Sequence, residues 1–133
     1  MAVLMRHMPQ SQSFAELPVR LLTYNIHKGI GGRDRLYRLE RIKQVIAAEN
    51  PDIVCLQEVD RNVRRSRFDN QPVLLTEWFA SAAHMYQFNV KVRDGGYGNL
   101  LMSRWPFRSH HQISITRHQK KPRGDRKSTR LNS

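Results

Sequence analysis

Residues 51–60 read Pro-Asp-Ile-Val-Cys-Leu-Gln-Glu-Val-Asp, a short apolar run that stops abruptly on an amide and a carboxylate. The run is β-branched at its start, and such a run predicts a strand buried on both faces. A carboxylate at the mouth of a buried strand costs free energy unless it finds a partner, and a metal ion is the first one to consider. The plainer alternative is a strand end that merely reaches solvent, with Glu58 hydrated.

The segment upstream narrows the choice. After Pro18, residues 19–26 read Val-Arg-Leu-Leu-Thr-Tyr-Asn-Ile, a strand by its β-branched and aromatic content. With a period of two, Thr23, Asn25 and His27 share one side while Leu22, Tyr24 and Ile26 share the other. Gly29, Gly31 and Gly32 then mark a turn. A helix is predicted over 35–49, with Leu36, Leu39, Ile42 and Ile46 on its inner stripe and Asp34 as N-cap or first-turn acid. Asn50-Pro51 stops it. Strand, loop, helix, strand in this order predicts two parallel neighbours joined by a crossover.

Beyond Asp60, residues 61–70 are polar and arginine-rich and read as a loop. A second helix is expected over 71–84, with Leu75, Trp78, Phe79 and Ala82 inward. A strand follows at 87–92, a turn at 94–98, and a returning hairpin strand at 99–103. Residues 113–115 are expected to begin another strand. Residues 1–17 carry no pattern and are expected to be a disordered N-terminal segment.

The 133-residue chain has room for one modest domain and bears a formal charge of +12, which points to a polyanionic partner. Its last nine residues, Asp-Arg-Lys-Ser-Thr-Arg-Leu-Asn-Ser at 125–133, read as an adapter-like, non-native tail and are set aside from the fold. They carry three positive charges and one negative, so the remainder stays strongly basic. On this reading the natural sequence is cut off near Gly124. No run approaches the ~20 apolar residues of a transmembrane span, and the start is not a secretory signal. The single cysteine, Cys55, excludes an internal disulfide and fits a cytoplasmic protein.

The chemistry gathers where the two strands end. Parallel strands present ligands at their carboxyl ends, and there an Asn and a Glu offer the oxygen donors that Mg²⁺ uses alongside water and substrate phosphate. Such an ion polarises a phosphoryl group and stabilises a leaving oxygen. Arg61, Arg64, Arg65 and Arg67 either hold phosphates by paired donors or form a solvated loop.

Three segments carry a family resemblance. Leu-Leu-Thr-Tyr-Asn-Ile-His at 21–27, Asp-Ile-Val-Cys-Leu-Gln-Glu-Val-Asp at 52–60 and Tyr-Gly-Asn-Leu-Leu-Met-Ser-Arg-Trp-Pro at 97–106 resemble, in order and spacing, the first three motifs of the endonuclease/exonuclease/phosphatase superfamily, with its deoxyribonuclease I-like fold. The resemblance covers about residues 19–124, so residues 18–124 are expected to be part of such a domain. It implies an α/β fold, the first half of a four-layer α/β sandwich, truncated. It also implies a phosphoester hydrolase that works with Mg²⁺ or Mn²⁺ on nucleic acid or on a phospholipid or inositol phosphate head group. By motif, Glu58 resembles the metal-binding catalytic Glu, and Asn25 the Asn that helps organise the metal or the phosphate. His27, Asn99 and Arg65 are the candidate substrate-binding residues. The family's later motifs are a His after a later strand, Gly-Asp-x-Asn and a closing Asp-His pair. They do not occur in this sequence, and His110, His111 and His118 lie in other contexts. The chain is therefore expected to be inactive alone.

Two other classes compete. A non-catalytic, basic nucleic-acid-binding module would need only the charge. A dinucleotide fold is sketched by strand, Gly29-x-Gly31 and helix, but its third glycine position holds Asp34, which would repel a pyrophosphate.

Overall fold

The computed structural model describes residues 2–7, 18–111 and 113. Strands β1 (Ala2–His7), β2 (Val19–Asn25), β3 (Ile53–Arg61), β4 (Ala83–Val92) and β5 (Gly95–Ser103) form one sheet in the order β1-β2-β3-β5-β4. β2 and β3 are parallel, as the strand–helix–strand pattern requires, and the other pairs are antiparallel. This is a mixed α/β architecture, as a deoxyribonuclease I-like fold requires. Helices α1 (Leu39–Glu49) and α2 (Gln71–Phe79) cover one face.

Several boundaries differ from the sequence expectation. Ala2–His7 is not pattern-free coil: it pairs with β2 from Val19 to Tyr24, because backbone groups of an edge strand accept a partner whatever its side chains. Helix α1 starts at Leu39 rather than 35, with Arg38 extended ahead of it. Asp34 does not cap it. Its carboxylate accepts the Leu36 N–H at 3.0 Å and pairs with Arg41, which holds its pKa down at about 2. Leu36 is consequently exposed. Helix α2 ends at Phe79, not 84, because Ala80 turns left-handed and residues 83 and 84 are taken by β4 pairing to Ser103 and Met102. Trp78 stays largely outside. The expected 94–98 turn shrinks to Arg93 and Asp94, and Gly95 to Gly98 belong to β5. Ile113 is not in a strand, and residues 114–115 fall outside the described ones.

The core lies between the helices and one sheet face. Leu22, Ile26, Val54, Leu56, Val59, Leu100 and Met102 pack against Leu39, Ile42, Ile46, Leu75 and Phe79. Burial at roughly 25 cal/mol per Å² of apolar surface is what holds the layers together. The second face of β3 is only half-covered, so Cys55 and Ile53 are not buried as a two-sided strand would have them. No helix among the described residues is long and apolar enough to cross a membrane.

Candidate functional site

The pairing of β3 with β5 slips once, and the slip creates the site. Leu56 faces Leu100 but Val59 faces Gly98, so Gln57 and Glu58 together oppose Asn99 alone. This is a β-bulge. Strict alternation after Val54 and Leu56 would send Glu58 into the core. The extra residue hands that place to Val59, which is buried, and turns Glu58 outward. The cost is a left-handed backbone at Glu58, with φ 55°. Such backbone strain on a non-glycine residue gathers at functional positions.

Neighbouring groups converge on the displaced carboxylate. Asn25 Nδ2 donates to Glu58 Oε1 at 3.3 Å, and Lys28 Nζ stands 3.0 Å from Oε2. His27 Nδ1 lies 3.7 Å from the same oxygen, an ion pair when the imidazole is protonated. Burial pushes the Glu58 carboxyl up, but the hydrogen bonds from Lys28 and Asn25 and the nearby Lys28 and His27 charges outweigh it and hold the group below its usual value. Asn25 is itself fixed by its other end, since its Oδ1 accepts the His27 N–H at 2.9 Å. That bond assigns the amide: nitrogen toward Glu58, oxygen toward the backbone. In this arrangement the Asn25 nitrogen orients the carboxylate, and its Oδ1 keeps one lone pair beyond the bond from the His27 N–H.

A second acid lies behind the first. Asp60 is fully buried and grips Arg65 through two bonds of 2.9 and 2.8 Å, while Ser66 Oγ donates to it at 2.9 Å. The Tyr97 ring is flanked by two cations, Lys28 Nζ at 5.1 Å from its centroid and the Arg65 guanidinium at 5.3 Å. Buried Gln71, the first residue of α2, ties the two sides together. Its Oε1 accepts the Asp60 N–H at 2.7 Å and its Nε2 donates to the Lys28 carbonyl at 2.9 Å.

Of the residues singled out from the sequence, Asn25, His27 and Glu58 meet, and Arg65 joins them through Tyr97 and Lys28. Asn99 stands across the ladder from Gln57 and Glu58 but makes no side-chain hydrogen bond to them among the described residues; it lines a cleft with Gln57, Gln87 and Cys55 on the half-covered face. Sequence reasoning missed Lys28, Asp60, Gln71 and Tyr97. Asp60 and Tyr97 sit inside the quoted motifs, and Lys28 directly follows one, so adjacency was the available signal; nothing in the sequence marks Gln71.

The donor set suits a small, oxygen-seeking divalent ion in one respect: a partly exposed carboxylate already carries a positive group, the Lys28 ammonium, at contact distance. Among the described residues no cluster of three or more His, Cys, Asp or Glu is placed to cage a metal. Among the described residues Glu58 would be the one carboxylate ligand, which matches the habit of Mg²⁺ to keep most of its shell as water and phosphate oxygen.

Comparison with known proteins bears on the same segments. The chain is 29% identical over 116 residues to the uncharacterized protein YbhP of Escherichia coli (strain K12), covering 80% of this chain and 44% of that protein. The same values hold for YbhP of Shigella flexneri. The chain thus spans less than half the length of these relatives. The crystal structure of an endonuclease/exonuclease/phosphatase from Beutenbergia cavernae DSM 12333 superposes with a TM-score of 0.60 at 28% identity, over 69% of this chain and 27% of that one. The sequence profile of the Endonuclease/Exonuclease/phosphatase family matches residues 22–128, a span that holds the end of β2 with Asn25, the bulge at Glu58 and the β4–β5 hairpin, and the chain belongs to that family.

Proposed function

We propose that this chain carries the ion-binding half of a phosphoester-hydrolase site, with Glu58 as the ligand for Mg²⁺ or Mn²⁺. The observation that carries the reading is the Lys28 ammonium seated 3.0 Å from Glu58 Oε2 on a carboxylate that the bulge has lifted out of the core. The ion, when bound, supplies the polarisation of a phosphoryl group and stabilises charge on a leaving oxygen. Asn25 holds the carboxylate in its ligating pose. Lys28 and Arg65 place positive charge where an anionic ester approaches, and His27 offers a ring N–H donor beside them. The substrate is a phosphoester, in nucleic acid or in a phospholipid or inositol phosphate head group. The free thiol of Cys55 fits the reducing cytoplasm.

The Gly-Asp-x-Asn and Asp-His segments that serve proton transfer at the reacting oxygens in the family do not occur in these 133 residues. Positioned proton transfer contributes typically ~10²–10⁴-fold, so the 133-residue chain alone is expected to turn over negligibly. The test is Mn²⁺ binding by electron paramagnetic resonance in wild type and Glu58→Gln, with phosphodiester and phosphomonoester cleavage measured alongside. Ion binding should be lost in the variant, and neither protein should hydrolyse ester. Equal ion binding in both would remove Glu58 from the site. Robust turnover abolished by Glu58→Gln would overturn the inactivity.

One observation favours a second reading, a non-catalytic nucleic-acid binder. Arg61, Arg64, Arg67 and Arg93 are exposed, and none has an acidic partner among the described residues. Salt-dependent DNA binding indifferent to Mg²⁺ and to Glu58→Gln would select it.

A further inference from the structure

The backbone at Lys28 is fixed, and its side chain is held only at its charged end. Its φ is 61°, its carbonyl accepts from buried Gln71 at 2.9 Å, and Gly29 follows at φ 76°. A Cβ on Gly29 would sit 2.8 Å from the Tyr37 ring, so the turn cannot relax on that side. From this anchored base a flexible four-carbon stem carries the ammonium between two rests, Glu58 Oε2 at 3.0 Å and the Tyr97 ring at 5.1 Å to the centroid. Arg65, on the same ring, lacks that freedom because buried Asp60 holds its guanidinium by two bonds. An ammonium and a divalent ion cannot share one carboxylate oxygen at contact distance without strong repulsion. A cation that takes Glu58 Oε2 must displace Lys28.

We infer that Lys28 is a hand-over cation: it holds Glu58 in its ligating pose before the ion arrives, and the ion then releases it to a phosphate oxygen of the substrate. This rests on Glu58 being the ion ligand. The Tyr97 face keeps the freed ammonium beside the site, and with Arg65 it makes a two-cation cradle with one movable arm. Lys28 therefore opposes ion binding when no phosphate is present and favours phosphate binding once the ion is in place. The two sites are positively coupled through a single side chain.

The experiment uses the whole 133-residue chain with Mn²⁺ and methyl phosphate as probes. Free Mn²⁺ is read by electron paramagnetic resonance, and methyl phosphate binding by calorimetry with and without Mg²⁺. Lys28→Met should bind Mn²⁺ about tenfold tighter without phosphate, and methyl phosphate about tenfold weaker with the ion present. Lys28→Asn, which tolerates a left-handed backbone, should do the same if the Met variant folds poorly. Lys28→Arg should keep Mn²⁺ affinity near wild type, and Lys43→Met, a charge removed from α1 where it pairs with Glu40, should move neither affinity by more than about twofold. Weaker Mn²⁺ binding in both Lys28→Met and Lys28→Asn, or changes within about twofold in both affinities, would overturn the hand-over. If Glu58→Gln abolishes Mn²⁺ binding while these Lys28 variants shift nothing, only the hand-over fails. If Glu58→Gln leaves Mn²⁺ binding intact, the ion site itself is wrong and the hand-over falls with it.

Discussion

Glu58 pays at the backbone for where its carboxylate stands. At φ 55° a residue with a Cβ is less favourable than glycine by about 1 kcal/mol. Part of that cost is offset by the Asn25 bond and the Lys28 pair. Both contacts are partly exposed, where ion pairs contribute little, about 0–1 kcal/mol. Function and stability are therefore opposed at this one residue. Glu58→Gly should be at least as stable as Glu58→Ala by about 1 kcal/mol in chemical denaturation, since Ala keeps the strain and Gly relieves it. Both should lose Mn²⁺ binding. An Ala variant more stable than the Gly variant would mean that the left-handed backbone at this position is not a cost.

At the scale of elements, the hairpin of β4 and β5 decides where the bulge can form. β4 carries its own slip: Phe88 faces Gly98 and Val90 faces Tyr97, leaving Asn89 unpaired. Gly98 thus lies between two irregular ladders, and a Cβ there would run into the Gln87 carbonyl. Gly98→Ala should cost more than about 2 kcal/mol in denaturant unfolding and loosen the β3 bulge across from it. A cost under about 0.5 kcal/mol would show that the ladder can shift aside. The same hairpin shows what was legible in the sequence and what was not. Asn25 and Glu58 could be placed together because β2 and β3 announce themselves by β-branched content and by the helix between them. The bulge could not be read, since nothing in Gln57-Glu58-Val59 says that one residue is extra; the signal is the packing of Val59. The end of α2 was illegible for a related reason. Ala80 takes the left-handed turn that a glycine would have advertised, and pairing to β5 claims the residues after it. The strand at the N-terminus was missed because pairing along an edge needs backbone groups and no side-chain pattern.

Across the whole molecule the sheet has one covered face and one that is half-covered. Neighbouring residues on β5 sample the two. Leu100 pairs with Leu56, is 1% exposed and packs under the helices, whereas Leu101 pairs with Cys55 and lines the cleft with Met85, Gln57 and Gln87. Period-two alternation makes these residues a matched pair, identical in type and adjacent in sequence, differing in which face they serve. Leu100→Lys buries an ammonium without a partner and should abolish folding, at a cost above about 4 kcal/mol. Leu101→Lys can extend its stem over the cleft and keep its charge in water, so it should cost less than about 1 kcal/mol. It should also lower the fluorescence of a hydrophobic dye bound to the wild-type chain, because Leu101, with Met85 and Cys55, is part of the apolar surface that face presents. Circular dichroism melts of the two variants separate the outcomes. If Leu101→Lys unfolds the chain as fully as Leu100→Lys, then something in this chain covers the second face as tightly as the helices cover the first.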